Sequence, residues 1–164
     1  MRKELLEIYT NFSNEKLETF FDDLIGIVIQ NQEIFSKYLT IDFFNEIIKY
    51  KSTDFIIGHS DDLFSKGVDY YKKNIGTFSE EQLVRQVATL IWGLSAYMLD
   101  KLCPNCQQSN MRLLMSENRS DIYEFCEECL FTILDGNPVN VDEELFPAKK
   151  QEVIQCLNKI NEKL

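Results

Sequence analysis

Over roughly its first hundred residues the chain places apolar side chains three and four positions apart, the period of helices with one buried stripe. The first such segment runs from Arg2 to about Tyr9 and carries Leu5, Leu6 and Ile8. Asn11 and Ser13 stand where the next helix needs an N-cap. The stripe that follows is wide: Leu17, Phe20, Phe21, Leu24, Val28, Phe35 and Tyr38, broadened by Ile25, Ile27 and Ile29. It predicts one long helix buried on more than one side. Gly26 inside it costs about 1 kcal/mol relative to alanine, a cost that the close approach of another helix would explain.

Thr40 is placed to cap a third helix, with Ile41, Phe44, Ile47 and Ile48 facing inward. Lys51 to Ser60 reads equally as a short helix ended by Gly58 or as an extended piece. Asp61 to Asn74 predicts a further helix with Leu63, Phe64, Val68 and Tyr71 on one side. Ser79-Glu80-Glu81-Gln82 is a capping box, in which serine and glutamine side chains reciprocally satisfy backbone N–H groups. It opens the most regular helix, through Leu83, Val87, Leu90, Ile91, Leu94 and Met98. The small Ala88, Gly93, Ser95 and Ala96 leave room for close neighbours. Helices are thus expected to about residue 101.

After Leu102 the period changes. Met111 to Met115 and Ile122 to Phe125 predict two short strands around the polar turn 117–121. Leu130 to Leu134 predicts a third, closed by Asp135-Gly136-Asn137-Pro138. From about Pro147 to Leu164 a last helix is expected. Pro147 suits its first turn, where an N–H is unpaired anyway, and Val153, Leu157, Ile160 and Leu164 form its seam.

The segment with the altered period holds four of the five cysteines, as Cys103-Pro104-Asn105-Cys106 and Cys126-Glu127-Glu128-Cys129. This C-x2-C-x19-C-x2-C spacing turns two thiolates toward a common centre in each pair, and a hairpin between the pairs would close a tetrahedral Zn²⁺ site. Residues 102–134 resemble the four-cysteine zinc ribbons found in many unrelated proteins. The resemblance implies structural zinc held by Cys103, Cys106, Cys126 and Cys129. Two features depart from the ribbon pattern. Gln107 and Leu130 replace the glycine that often follows each pair, and acidic residues outnumber Lys101, Arg112 and Arg119 between Asp100 and Asp135. Four paired but metal-free thiols and a redox Cys-x2-Cys are the alternatives. The redox reading needs the pair at a helix N-terminus after a strand, whereas here it follows a helix. Cys156 reads as a packing cysteine on the last helix, or else as an extra ligand or reactive thiol. His59, the single histidine, reads as a turn residue, or as a ligand if one cysteine were displaced.

The expected architecture is therefore mainly α: a helical bundle over 1–101, a small inserted β zinc ribbon over 102–140, and a C-terminal helix over 141–164 packing back on the bundle or ribbon. Hydrophobic residues make up 45% of the chain, enough for a real core without a disulfide framework. Paired cysteines suit a reducing compartment, and the longest apolar run, Val87 to Leu99, falls short of the roughly 20 residues that span a bilayer. A cytoplasmic protein is expected.

The formal net charge is −10, which disfavours nucleic acid and attracts basic partners. Phosphate-binding glycine loops and nucleophile elbows are absent from the sequence, and no catalytic residue is nominated. The acidic doublets Asp22-Asp23 and Asp61-Asp62 and the runs Glu127-Glu128 and Asp142-Glu143-Glu144 read first as caps and solvated surface. The expected function is a non-enzymatic, acidic, zinc-binding module that engages a basic protein, for example an immunity or antitoxin-like inhibitor of a basic toxin. The alternative is a transcription- or nucleic-acid-associated zinc-ribbon regulator.

Overall fold

The predicted capping chemistry organises the helical half. Thr40 Oγ1 accepts the Phe43 N–H at 3.4 Å and starts α4 (Ile41–Ile47). Ser79 N–H donates to Gln82 Oε1 at 2.7 Å while Gln82 N–H donates to Ser79 Oγ at 3.2 Å, the reciprocal pair that starts α6 (Glu80–Ser95). These details come from a computed structural model that describes residues 1–58, 62–116, 118 and 121–161. The chain forms two compact units, Met1–Leu94 and Ser95–Leu164.

The first unit is helical. It contains α1 (Arg2–Thr10), α2 (Leu17–Gln30), α3 (Gln32–Tyr38), α4, α5 (Asp62–Asn74) and most of α6. Leu5, Phe21, Leu24, Phe35, Ile47, Leu83, Ile91 and Leu94 are fully buried, so the stripes read from the sequence do meet in one core. The wide stripe of α2 buries Phe20, Phe21, Leu24, Ile25, Ile27 and Val28.

The single long helix expected there is two. Asn31 breaks it: its side chain donates to Ile27 O at 2.9 Å, and its N–H is shared between Ile27 O and Val28 O. A side-chain amide that takes the carbonyls of the preceding turn competes with continued helix. Ile41, expected to face inward, is exposed. The ambiguous segment after Lys51 is one 3-10 turn, Ser52–Asp54, followed by extended backbone at the buried Phe55. That turn is tied to α2 by Asp22, whose carboxylate accepts the Ser52 N–H at 2.9 Å and the Ser52 hydroxyl at 2.7 Å. Asp22 is thus a structural anchor rather than solvated charge. Gly93 does meet a neighbour, the Phe64 ring, 3.5 Å from where its Cβ would stand.

The second unit overturns the expectation of a mainly α chain with a small β insertion. It is built on a six-stranded antiparallel sheet: β1 (Met98–Leu102), β2 (Asn110–Ser116), β3 (Ile122–Phe125), β4 (Thr132–Leu134), β5 (Asn137–Val139) and β6 (Leu145–Pro147). The strands run β1-β2-β3-β4-β5 in order, and β6 also pairs with β2. Both β1 and β6 lie on the side of β2 away from β3. The first takes Asn110 and Arg112, the second Leu114 to Ser116. Between them Leu113 bonds both segments, donating its N–H to Tyr97 O and accepting the Ala148 N–H.

Three local errors produced the mistaken architecture. Helix was expected to about residue 101, but α6 ends at Ser95. The apolar Tyr97-Met98-Leu99 run fits either period, and pairing with β2 decides it: Arg112 Nη1 donates to Ala96 O at 2.6 Å, and Met98 sits opposite Arg112. The turn after β4, expected to close the strand, is a two-residue hairpin turn that launches β5, with Asp135 and Gly136 both at positive φ (50° and 84°). Pro147, expected in the first turn of the last helix, closes β6 opposite Leu114, and α7 begins only at Lys150 (Lys150–Asn161).

Gly26 gives a test of the helical core. Among the described residues no atom beyond its own stretch of helix lies within 4 Å of the position its Cβ would occupy, so no close helix approach there requires it. Gly26→Ala should therefore stabilise the protein by about 0.5–1 kcal/mol, read as a higher midpoint in urea unfolding with unchanged slope.

Candidate metal centre

Strand pairing assembles the four sulfurs. The first cysteine pair is the connection between β1 and β2, and the second is the connection between β3 and β4. Because β2 and β3 are antiparallel, with Arg112 opposite Phe125 and Met115 opposite Ile122, both connections fall at the same end of the sheet. The two turns have matching backbones. Gln107 N–H donates to Cys103 O at 3.0 Å, and Leu130 N–H donates to Cys126 O at 2.9 Å. Each turn is tied back by its leading cysteine, whose N–H donates to Ser109 O in the first and to Phe131 O in the second.

The sulfurs of Cys103, Cys106, Cys126 and Cys129 all lie within 4.8 Å of one another. The cross-turn pairs Cys103–Cys129 and Cys106–Cys126 are each 3.6 Å apart, far beyond a disulfide bond, and all four are free thiols. A tetrahedral ion with metal–sulfur bonds of about 2.3 Å sets its sulfurs about 3.8 Å apart, so the cluster fits such an ion. Four cysteines expected from spacing alone are thus brought to one point, where they can hold a metal ion. Cys103 and Cys126 are completely buried, and Cys106 and Cys129 are half-buried.

Hydrogen bonds to sulfur prepare the thiolate form. Burial opposes ionisation of Cys126, but Ser109 (Oγ 3.3 Å away) and the N–H groups of Cys129 and Glu128 outweigh it and bring the thiol down to about 6. The Asn105 amide, 3.5 Å from Cys129 Sγ, is the main reason that Cys129 is lowered, against burial and with help from the Phe131 N–H. Cys106 goes the other way: a Gln108 N–H favours its thiolate, but burial and the three neighbouring thiols push it up to about 11. Opposite directions on adjoining sulfurs express one fact. Four negative sulfurs this close repel each other, and a cation at their centre removes that cost.

Asn105 and Ser109 escaped the reading of the sequence, although small polar residues inside and just after a knuckle are the residue types that orient ligands. Glu127 is ion-paired with Arg112 at 2.6 Å, and Glu124 is paired with Lys101, so these carboxylates are not merely solvated. Cys156 stands outside the cluster on α7, half-buried, its thiol raised by burial and then by the Glu124 charge. His59 and Asp61 lie outside the described residues, as do Ser60, Glu117, Arg119, Ser120 and the last three residues.

The departure from the usual glycine is answered by the backbone. Gln107 and Leu130 both take the left-handed conformation, with φ of 55° and 59°, where glycine is the unstrained residue. In each turn that residue closes the loop with its N–H, and a side chain in that conformation costs about 1–2 kcal/mol. No family model, curated protein or solved structure matches this chain.

The strain is measurable. Leu130 is also 70% exposed, so its side chain contributes little packing. Leu130→Gly should raise stability by about 1 kcal/mol, whereas Leu130→Val should lower it because a β-branched residue tolerates positive φ least. Thermal unfolding of the two variants beside the parent protein checks both signs.

Proposed function

We propose that this chain is a non-enzymatic, zinc-stabilised interaction protein whose acidic surface engages a basic protein partner. The observation that carries the zinc is the four-sulfur cluster, with backbone and side-chain donors trained on the sulfurs. Four thiolates complete a tetrahedral shell and leave no position for substrate or water, which favours a structural ion over a catalytic one. In this role Cys103, Cys106, Cys126 and Cys129 hold the ion and lock the two turns of the sheet together.

The net charge of −10 supports the partner's chemistry. In the first unit an open groove of about 340 Å³ is lined by Glu4, Glu7, Asp22 and Asp23. Burial and the adjacent Asp22 carboxylate raise Asp23 above the usual aspartate range. In the ribbon, Lys101 and Arg112 are engaged by Glu124 and Glu127, which weighs against a nucleic-acid role, since that role needs cations free for phosphates. Among the described residues no helix is long and apolar enough to cross a membrane. The most specific version of this reading is an immunity or antitoxin-like protein in the cytoplasm, masking a basic toxin.

Two measurements test it. One equivalent of zinc per chain should copurify, Cys106→Ser should lose it, and Ser109→Ala should keep one equivalent with affinity reduced about tenfold, read by chelator competition. Protein with no zinc, or Ser109→Ala with parental affinity, contradicts the metal assignment. Affinity capture from native lysate should recover a basic protein in stoichiometric amount, released at about 0.5 M salt, where surface charges are screened within a few ångströms. Recovery of nucleic acid instead would move the assignment to the zinc-ribbon regulator.

A further inference from the structure

The second unit contains an open pocket of about 440 Å³ that the metal centre does not use. Its floor is one face of the sheet. Tyr123 and Leu134 are directly opposite each other in the β3–β4 ladder, and Val139 pairs with Thr132 two positions along, so all three share that face. Its wall is the connection from β5 to β6, which supplies Val141, Asp142 and Glu143.

This connection leaves the sheet at β5, one edge, and returns at β6 beside β2, four strand spacings away. It therefore crosses the sheet, and it bends at Glu143.

The chemistry of the pocket is divided. Leu134, Val139 and Val141 are apolar and partly buried, while Asp142 and Glu143 are exposed carboxylates on its rim. Glu143 is hydrogen-bonded to the Tyr123 hydroxyl. Among the described residues no lysine or arginine pairs with Asp142 or Glu143, in contrast to Glu124 and Glu127 on the same sheet unit. Burial first, then the charges of Glu143 and Asp121, raise the Tyr123 hydroxyl above its ordinary range, so negative potential converges on the pocket. Apolar walls under an acidic rim match a group with a hydrocarbon stem and a planar cationic head.

We propose that this pocket receives an arginine side chain of the protein partner, its methylenes against Leu134, Val139 and Val141 and its guanidinium between Asp142 and Glu143. This rests on the reading that the partner is a basic protein and adds where that partner is gripped.

The test is a titration of the full, isotope-labelled chain with the tripeptide acetyl-Gly-Arg-Gly-amide, followed by backbone amide NMR. The expected result is shifts confined to Tyr123, Leu134 and residues 139–143, absent when norleucine replaces arginine. The double variant Asp142→Asn/Glu143→Gln should bind the arginine peptide roughly fivefold or more weakly. Both positions are exposed, so the variant should keep the parental spectrum elsewhere. Equal binding of the norleucine peptide, or parental affinity in the double variant, overturns the proposal. Shifts confined to the groove of Glu4, Glu7, Asp22 and Asp23 overturn the pocket but leave a basic partner standing. Shifts nowhere overturn the pocket and remove support from the basic partner as well.

Discussion

The antiparallel pairing of β2 with β3 is the constraint on which the second unit depends. It carries residues twenty or more positions apart to the same end of a sheet, so that two separate turns present four sulfurs to one point. Each turn is competent by itself only to aim a pair of thiols. A cation held by these four thiolates would cross-link the β1–β2 and β3–β4 connections. The strained left-handed residues Gln107 and Leu130 belong to the same two turns, which gather the four sulfurs.

The two units obtain their stability differently. The first buries broad aliphatic and aromatic stripes, with Phe12 and Phe20 edge to face at 4.8 Å and Tyr50 against Phe55 at the same distance. The second has short strands, three of them only three residues long. Sheets of that size gain little from burial alone. Removal of the ion is thus expected to act on the sheet and to leave the helical unit's own core contacts intact.

Legibility followed how local the deciding interaction is. The Ser79–Gln82 box, the Thr40 cap and the outlines of β2 and β3 are set by neighbours in sequence, and they were readable. The four clustered cysteines were readable because the chemistry of tetrahedral sulfur imposes spacing. The break at Asn31 was missed because one side-chain amide overrode an otherwise continuous apolar stripe. Strand β1 was missed because Tyr97-Met98-Leu99 satisfies either period until its partner is known. Strand β5 was announced by Asp135-Gly136, a hairpin dipeptide that was read only as an end. The donors Asn105 and Ser109 depend on how two distant turns face each other, which no local pattern encodes.

The sharing of one edge of β2 between β1 and β6 has a consequence for synthesis. During translation both cysteine turns are complete once residue 131 has emerged, but the edge at Leu114 to Ser116 must wait for Leu145–Pro147. Until then a row of unpaired backbone groups flanked by buried Leu113, Leu114 and Met115 stands open. Such an edge is a template for pairing with another nascent chain. A ribosome stalled or a chain truncated between those points would leave that edge open, and β6 is the strand that closes it.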